Sequence, residues 1–294
     1  MTIIKKTTTF IFLATITIIF VGCESTRTRM VVDGMGTFLE NMKIAINKAD
    51  DIELVRESMP TGLLQLEGFL EISPHNDDLL VRTSEGYYSY AFVFIEDNDK
   101  DRAIKFYRKS KKYALRALKR HKSFSIDPAI TEEKFKKILK KIKKYEVPAL
   151  FFLCSSWMKL LELNPQANTL SIELSQIETI LDRILILDEN FQYGGPHVLL
   201  AGLYSTLPQN MGGNPEQAKF HFDEAIDISD GKYLLWQLML ARYYAVQVKD
   251  KQLFTSTLND IISAPDNLLP QANFSNLVAK QKAQALLDNI KSYF

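Results

Sequence analysis

Cysteine is nearly absent: Cys23 and Cys154 are the two in 294 residues. That excludes a disulfide-stapled scaffold and any zinc site built from paired cysteines. Glycine, at 12, and proline, at 10, fall below their average shares of roughly 7% and 5%, which excludes collagen-like sequence and long flexible linkers. Alternating apolar and polar runs are scarce, so a sheet protein is not expected. The four histidines (His75, His121, His197, His221) are scattered, with no HExxH and no calcium-loop pattern. "GYYSY" is no nucleophile elbow, and "MGGNPEQ" lacks the Lys-Ser/Thr of a phosphate loop. No motif singles out a pair among the many carboxylates. We therefore expect no catalytic residue, metal ligand or cofactor, and a protein that is not an enzyme.

What is present begins with an export signature. Lys5 and Lys6 precede an apolar stretch over residues 10–21, too short for a spanning helix, which needs about 20 apolar residues, and suited to a signal peptide. The stretch ends "IIFVGCES". Gly22-Cys23 resembles a lipobox, with Phe20 in place of the more usual Leu, and makes Cys23 the expected lipidation site. Glu24, which follows it, is not the Asp associated with inner-membrane retention in enteric bacteria, which favours the outer membrane. The expected organisation is a signal peptide over residues 1–22, a lipidated tether over 23–35 and a single helical domain over 36–294. With Cys23 given to lipid, Cys154 in "ALFFLCSSW" has no partner and reads as a small buried apolar residue.

Beyond residue 36 apolar residues recur at spacings of three and four, the period of an α-helix. Expected helices include residues 61–72, stopped by Pro74; 79–94, capped by Asn76 or Asp77; 100–121, capped by Asp99; and a basic helix opened by Asp127-Pro128. An apolar helix over 147–163 follows, then helices over 170–187, 197–206, 232–248, 253–262 and 271–290. Before them, Phe38, Met42, Ala45 and Ile46 share an inward face. In "GGNPEQAKFHFDEAIDISDG" Asn214 is an N-cap, Pro215 fits the first turn and Gly231 marks the end. Within it Ala218, Phe222, Ala225 and Ile226 form a small–aromatic–small stripe. Ala103, Tyr107, Ser110 and Ala114 repeat the order. Such stripes belong to the second helix of tetratricopeptide hairpins, where small residues let a paired helix approach. The repeat is degenerate, because Ala103 and Ala218 are not separated by a whole number of 34-residue units. The fold class expected is all-α: stacked tetratricopeptide-like hairpins forming an α-α superhelix.

Charge is segregated beneath a net charge of +1. Residues 100–144 hold 18 Lys or Arg against four acids, and the remainder of the chain is correspondingly acidic. A periplasmic address argues against nucleic acid and leaves an acidic partner surface, anionic lipid headgroups, a neighbouring subunit or a solvated face.

Several blocks carry a family resemblance: "MPTGLLQLEGFLEISPHNDDLL", "SEGYYSYAFVFIEDNDKDRAIKFYRKSKKYALRAL", "VPALFFLCSSW", "FQYGGPHVLLAGLYSTLPQNMGGNPEQAKFHFDEAIDIS" and "LLWQLMLARYYA". Over most of the mature chain the sequence resembles the T-component lipoproteins of tripartite ATP-independent periplasmic (TRAP) transporters. The resemblance implies a trimer of lipid-anchored periplasmic helical proteins. Each protomer would hold a channel or groove for an apolar or amphipathic ligand and dock the transporter's solute-binding protein.

Tyrosine and tryptophan combine an apolar body with a polar tip, which suits a partly wet groove. On that ground Tyr87, Tyr90, Phe94, Trp157, Tyr193, Tyr204, Trp236 and Tyr243 are candidate groove residues, each with core packing as the alternative. His197, after Gly195-Pro196, joins them, with a hydrogen-bonded structural histidine as its alternative. The function expected is that of a non-enzymatic, lipid-anchored accessory protein of solute uptake. Two rivals stay open: a repeat adaptor in outer-membrane or envelope protein assembly, and an envelope enzyme built on scattered carboxylates.

Overall fold

The computed structural model describes residues 24–119, 124–164, 170–207 and 212–294. The signal segment, Cys23, His121 and Pro208 lie outside them. Among the described residues thirteen α-helices occur and no strand. They are α1 (Glu24–Asp33), α2 (Gly36–Lys48), α3 (Ile52–Ile72), α4 (Asp77–Tyr90), α5 (Lys100–Leu118), α6 (Glu132–Leu139) and α7 (Val147–Leu163). They continue as α8 (Leu170–Asp188), α9 (Gly195–Thr206), α10 (Pro215–Ile228), α11 (Leu234–Met239), α12 (Lys251–Ser263) and α13 (Asn273–Asp288).

Side-chain caps set many of the starts. Asn76 accepts from the Leu79 N–H at 3.0 Å, and Asp99 from that of Arg102 at 3.0 Å. Asn214 accepts from the N–H groups of Glu216 and Gln217 at 3.1 and 3.2 Å. Each bond satisfies a donor that the first helical turn leaves free. Gly231, at φ 66°, sends its N–H back to Ile226 O at 2.8 Å and closes α10.

Three departures from the sequence pattern have physical reasons. Helix α3 starts at Ile52 and runs through Pro60 instead of starting after it. Proline's fixed φ suits a helix and costs it the bond to residue 56; Val55, Leu63 and Leu70, all buried, hold both halves against the core. Asp127 opens no helix, because its side chain accepts from the Ala129 N–H at 2.8 Å and closes a turn, so α6 begins only at Glu132. Helices α4 and α11 each pass into a π-helical segment, Ala91–Ile95 and Leu240–Ala245. The extra residue per turn shifts which side chains face inward, and such segments are frequent at functional sites.

The small–aromatic–small stripes seal helix contacts. Ala103, Tyr107, Ser110 and Ala114 are fully buried where α5 packs against α4 and α7. Ser110 sits at the meeting point of the three helices. Its Oγ donates to Ser84 O at 2.8 Å and accepts from Ser156 Oγ at 2.6 Å. Ala218, Phe222 and Ala225 do the same for α10, which packs on α9. At Gly86 a Cβ would stand 2.7 Å from Leu63 Cδ2, so glycine permits the approach of α4 to α3. Gly194, at φ 85° with Ala225 Cα 3.0 Å from its would-be Cβ, makes the turn into α9.

The last helix closes the superhelix. Helix α13 packs on α11 and α12 and also reaches α2 and α3. Val55, Phe274 and Val278 form a small buried cluster at this junction, Asn273 Nδ2 donates to Ala49 O at 3.2 Å, and Lys282 pairs with Asp97 beyond the π-segment of α4. Helices α2 and α3 thus meet the last helix, and the helices surround an interior space.

Candidate functional site

That space is a cavity of about 1440 Å³, beyond the roughly 300–1,000 Å³ of an ordinary small-molecule pocket. Helices α2, α3, α4, α7, α9 and α11 supply most of its wall, and the start of α13 completes it. Its surface is mainly apolar: Tyr88, Phe92, Phe151, Phe152, Trp236 and Tyr243 bring rings, and Met42, Met59, Met158 and Met239 bring flexible thioethers. The cavity opens to solvent beside α2, where Phe38 and Met42 are lining residues yet 58% and 39% exposed. Phe38, Met42, Ala45 and Ile46, the face of α2 expected to point inward, all line it. Two lining glycines leave room: a Cβ on Gly62 would meet nothing within 4 Å, and one on Gly202 only Met158 Cε at 3.8 Å.

One stretch of the wall is charged. Along α7, Ser155, Met158, Lys159 and Glu162 fall at i, i+3, i+4 and i+7 and form one stripe into the cavity. The Lys159 side chain is 8% exposed. Its Nζ lies 3.2 Å from Glu96 Oε2, 3.1 Å from Glu162 Oε2 and 3.0 Å from the Tyr243 hydroxyl. Behind it Glu96 accepts from the Tyr107 hydroxyl at 2.5 Å and from Arg242 at 3.3 Å. Burial works against the Lys159 charge, but Tyr243, Glu96 and Glu162 outweigh it and raise the pKa well above the usual lysine value. Burial likewise raises the Glu162 carboxyl, and the nearby Lys159 and Arg242 more than reverse that, leaving it lowered and ionised. Both π-segments serve this place: one presents Phe92 and leads into Glu96, and the other carries Arg242 and Tyr243.

Of the nine candidate groove residues, Trp236 and Tyr243 line the cavity. Tyr87 and Tyr90 turn away from it towards α5, Tyr87 stacking on Tyr113 and both meeting Phe106. Phe94 packs on Phe274. Trp157 is 2% exposed, donates from Nε1 to Glu173 at 2.5 Å and carries Lys111 Nζ 4.0 Å from its ring. Tyr193 stacks on Tyr233 at 4.7 Å, and its carbonyl receives the Trp236 indole N–H at 2.7 Å. The Tyr204 hydroxyl donates to Glu178 at 2.6 Å. His197 is buried, its Nδ1 2.9 Å from Nδ1 of His221. Burial lowers both imidazoles, His221 to about 4, so the pair is neutral near pH 7 with one ring donating to the other. Cys154 is free and buried. Among the described residues no three His, Cys, Asp or Glu are grouped to hold a metal, and no helix is long and apolar enough to cross a membrane.

Tyr88, Phe92, Phe151 and Phe152 line the cavity but are not among the nine candidates, and neither are the wall methionines. The α7 stripe was readable as a polar interruption at helical spacing in an otherwise apolar helix. The wall residues of the α4 stretch, Arg82, Glu85, Gly86, Ser89 and Phe92, also keep helical spacing, but that period does not say which face borders a cavity.

A protein of Treponema pallidum (strain Nichols) described as uncharacterized is 20% identical over 266 residues, covering 83% of this chain and 81% of its own. The family model of the TRAP transporter T-component matches residues 48–294, a span that holds α3 to α13 and most of the cavity wall. On that match the chain belongs to the TRAP transporter T-component family, an accessory part of a TRAP transport system.

Proposed function

We propose that this protein is a lipid-anchored accessory component of a TRAP-type uptake system in the cell envelope. It binds an apolar or amphipathic small molecule in the central cavity and docks the extracytoplasmic solute-binding protein, which exchanges that ligand with it. Cys23 carries the lipid, the protein sits on the outer membrane facing the periplasm, and the working form is a trimer. The observation that carries the reading is the enclosed apolar space of about 1440 Å³, ringed by aromatic and methionine side chains and open beside α2. Burying hydrocarbon there yields about 0.8 kcal/mol per CH₂, enough to hold a chain without any bond being made or broken. Transfer requires only that docking change the relative affinity of the two proteins for the ligand.

The test is a plug. Gly62→Phe places a ring in open space from the interior of α3, so the fold survives while the ring narrows the cavity. Binding of a neutral apolar fluorescent probe such as N-phenyl-1-naphthylamine should fall several-fold with thermal stability unchanged. Full probe binding by the plugged, folded variant would refute the cavity as the ligand site.

A further inference from the structure

The charged stretch of the cavity wall has a sign that is readable from its hydrogen bonds. A lysine ammonium has three donors. Those of Lys159 are matched by three neighbours, Glu96, Glu162 and the Tyr243 hydroxyl, at 3.0 to 3.2 Å. No donor is left for an incoming anion. Arg242 lies behind, committed to Glu96 and Asp97, and Lys282 is committed to Asp97.

Glu162 is different. Its Oε2 receives Lys159 and the Tyr243 hydroxyl, the latter at 3.3 Å, whereas its Oε1 accepts from no described residue. The side chain is 36% exposed on the cavity wall. The spare capacity at this place is therefore that of an acceptor. Elsewhere on the wall Lys43 is held by Glu85 at 2.6 Å, and Arg82 by Asp78 and Glu40 at 2.8 and 3.0 Å. Counting lining groups with their partners, five cations (Lys43, Arg82, Lys159, Arg242, Lys282) face six carboxylates (Glu40, Asp78, Glu85, Glu96, Asp97, Glu162). A carboxylate brought into this apolar space would meet like charge and no free cation.

We infer that the cavity takes an amphiphile whose head donates hydrogen bonds, a hydroxyl or an ammonium and not a carboxylate, and that Glu162 Oε1 receives it. The hydrocarbon of such a ligand lies along Phe151, Phe152 and Met158, the turns of α7 that precede Glu162 on the same wall. This deepens the reading of the cavity as a ligand site and rests on it.

Matched dodecyl probes separate the two. Dodecanol, dodecylamine and dodecanoate are compared at pH 7, below their micellar concentrations, on the full chain. The measurement is displacement of the naphthalene probe. Dodecanol and dodecylamine should bind about tenfold or more tightly than dodecanoate, a difference of about 1.4 kcal/mol. Glu162→Gln, near-isosteric and partly exposed, should weaken dodecylamine about tenfold and strengthen dodecanoate, with dodecanol changed less than about threefold. Equal thermal stability of variant and parent shows that the fold is kept. Preference for dodecanol over dodecylamine, or the reverse, names which donor head the site favours; either supports the inference. Dodecanoate binding as tightly as dodecanol, or dodecylamine affinity unmoved by Glu162→Gln, would overturn it. Failure of all three to bind would instead remove the cavity reading beneath it.

Discussion

Helix α4 has two faces, and comparing them explains most of the molecule. Towards α5 it presents Thr83, Ser84, Tyr87 and Tyr90, all buried, in a contact sealed by serine hydroxyls and stacked rings. Towards the cavity it presents Ser89, Tyr88 and, past the π-turn, Phe92, the same residue types around empty space. On one face a small residue lets a helix approach; on the other it leaves a hole. Polar groups divide likewise. The sealed contacts hold neutral pairs, Ser84 with Ser110 and His197 with His221, whereas the cavity wall holds ions compensated by ions. The chemistry of a side chain does not say which role it has. The partner helix does.

The strongest way to break the comparison is to empty a sealed contact. Trp157 is fully enclosed by α5, α7 and α8 neighbours, with Lys111 over its ring and Glu173 on its indole N–H. Trp157→Ala should cost about 3–5 kcal/mol of unfolding free energy, read by chemical denaturation, with probe binding by the fraction that remains folded unchanged. Lost binding at unchanged stability would put Trp157 functionally in the groove after all.

Acid should act on the sealed side as well. His221 is held at about 4 and His197 is also lowered, both mainly by burial. The unfolded chain takes its protons near 6.5, before the folded pair does, so stability is full above that pH and falls as pH drops towards 4. The loss attributable to His221 is roughly 3 kcal/mol at pH 4. Denaturation between pH 7 and 4 should show it, and His221→Gln should flatten the slope. A curve of the parent protein already flat over that range would contradict the neutral, buried pair.

Ser110 probes the triple junction. Ser110→Leu replaces one oxygen by three carbons between α4, α5 and α7 and strips partners from Ser84 and Ser156; the expected cost is about 2 kcal/mol, measured as a shift in denaturation midpoint.

How much of this was legible beforehand follows from the same division. The helices, their caps at Asn76, Asp99 and Asn214, and the buried stripes around Tyr107 and Phe222 are local patterns, and they read true because each depends on its own turn or its nearest hairpin partner. The closing of the ring depends on Phe274 and Val278 meeting Val55 across more than two hundred residues, which no local period announces. Among the candidate rings, Trp236 and Tyr243 face the cavity while Tyr87, Tyr90 and Trp157 do not. Helical phase groups Phe92 with Gly86 and Ser89 but does not say that their shared face borders a cavity. Pro60 misled for a related reason: a local breaker was overridden by burial on both sides.

The smallest effect is the sharpest discriminator. Gly62 and Gly86 both sit inside helices, where replacing glycine by alanine gains about 1 kcal/mol by restricting the unfolded chain and shielding the backbone. At Gly62 nothing opposes that gain, since the new Cβ has open space around it. At Gly86 the Cβ would lie 2.7 Å from Leu63 Cδ2, and Leu63 is itself buried where α3 meets α4, so it must shift against its neighbours. Gly62→Ala should therefore raise stability by about 1 kcal/mol, and Gly86→Ala should leave it unchanged or lower it. Parallel denaturation of the two variants decides the matter. Equal gains at both positions would mean that α3 and α4 do not pack as closely at Gly86 as the contact with Leu63 requires.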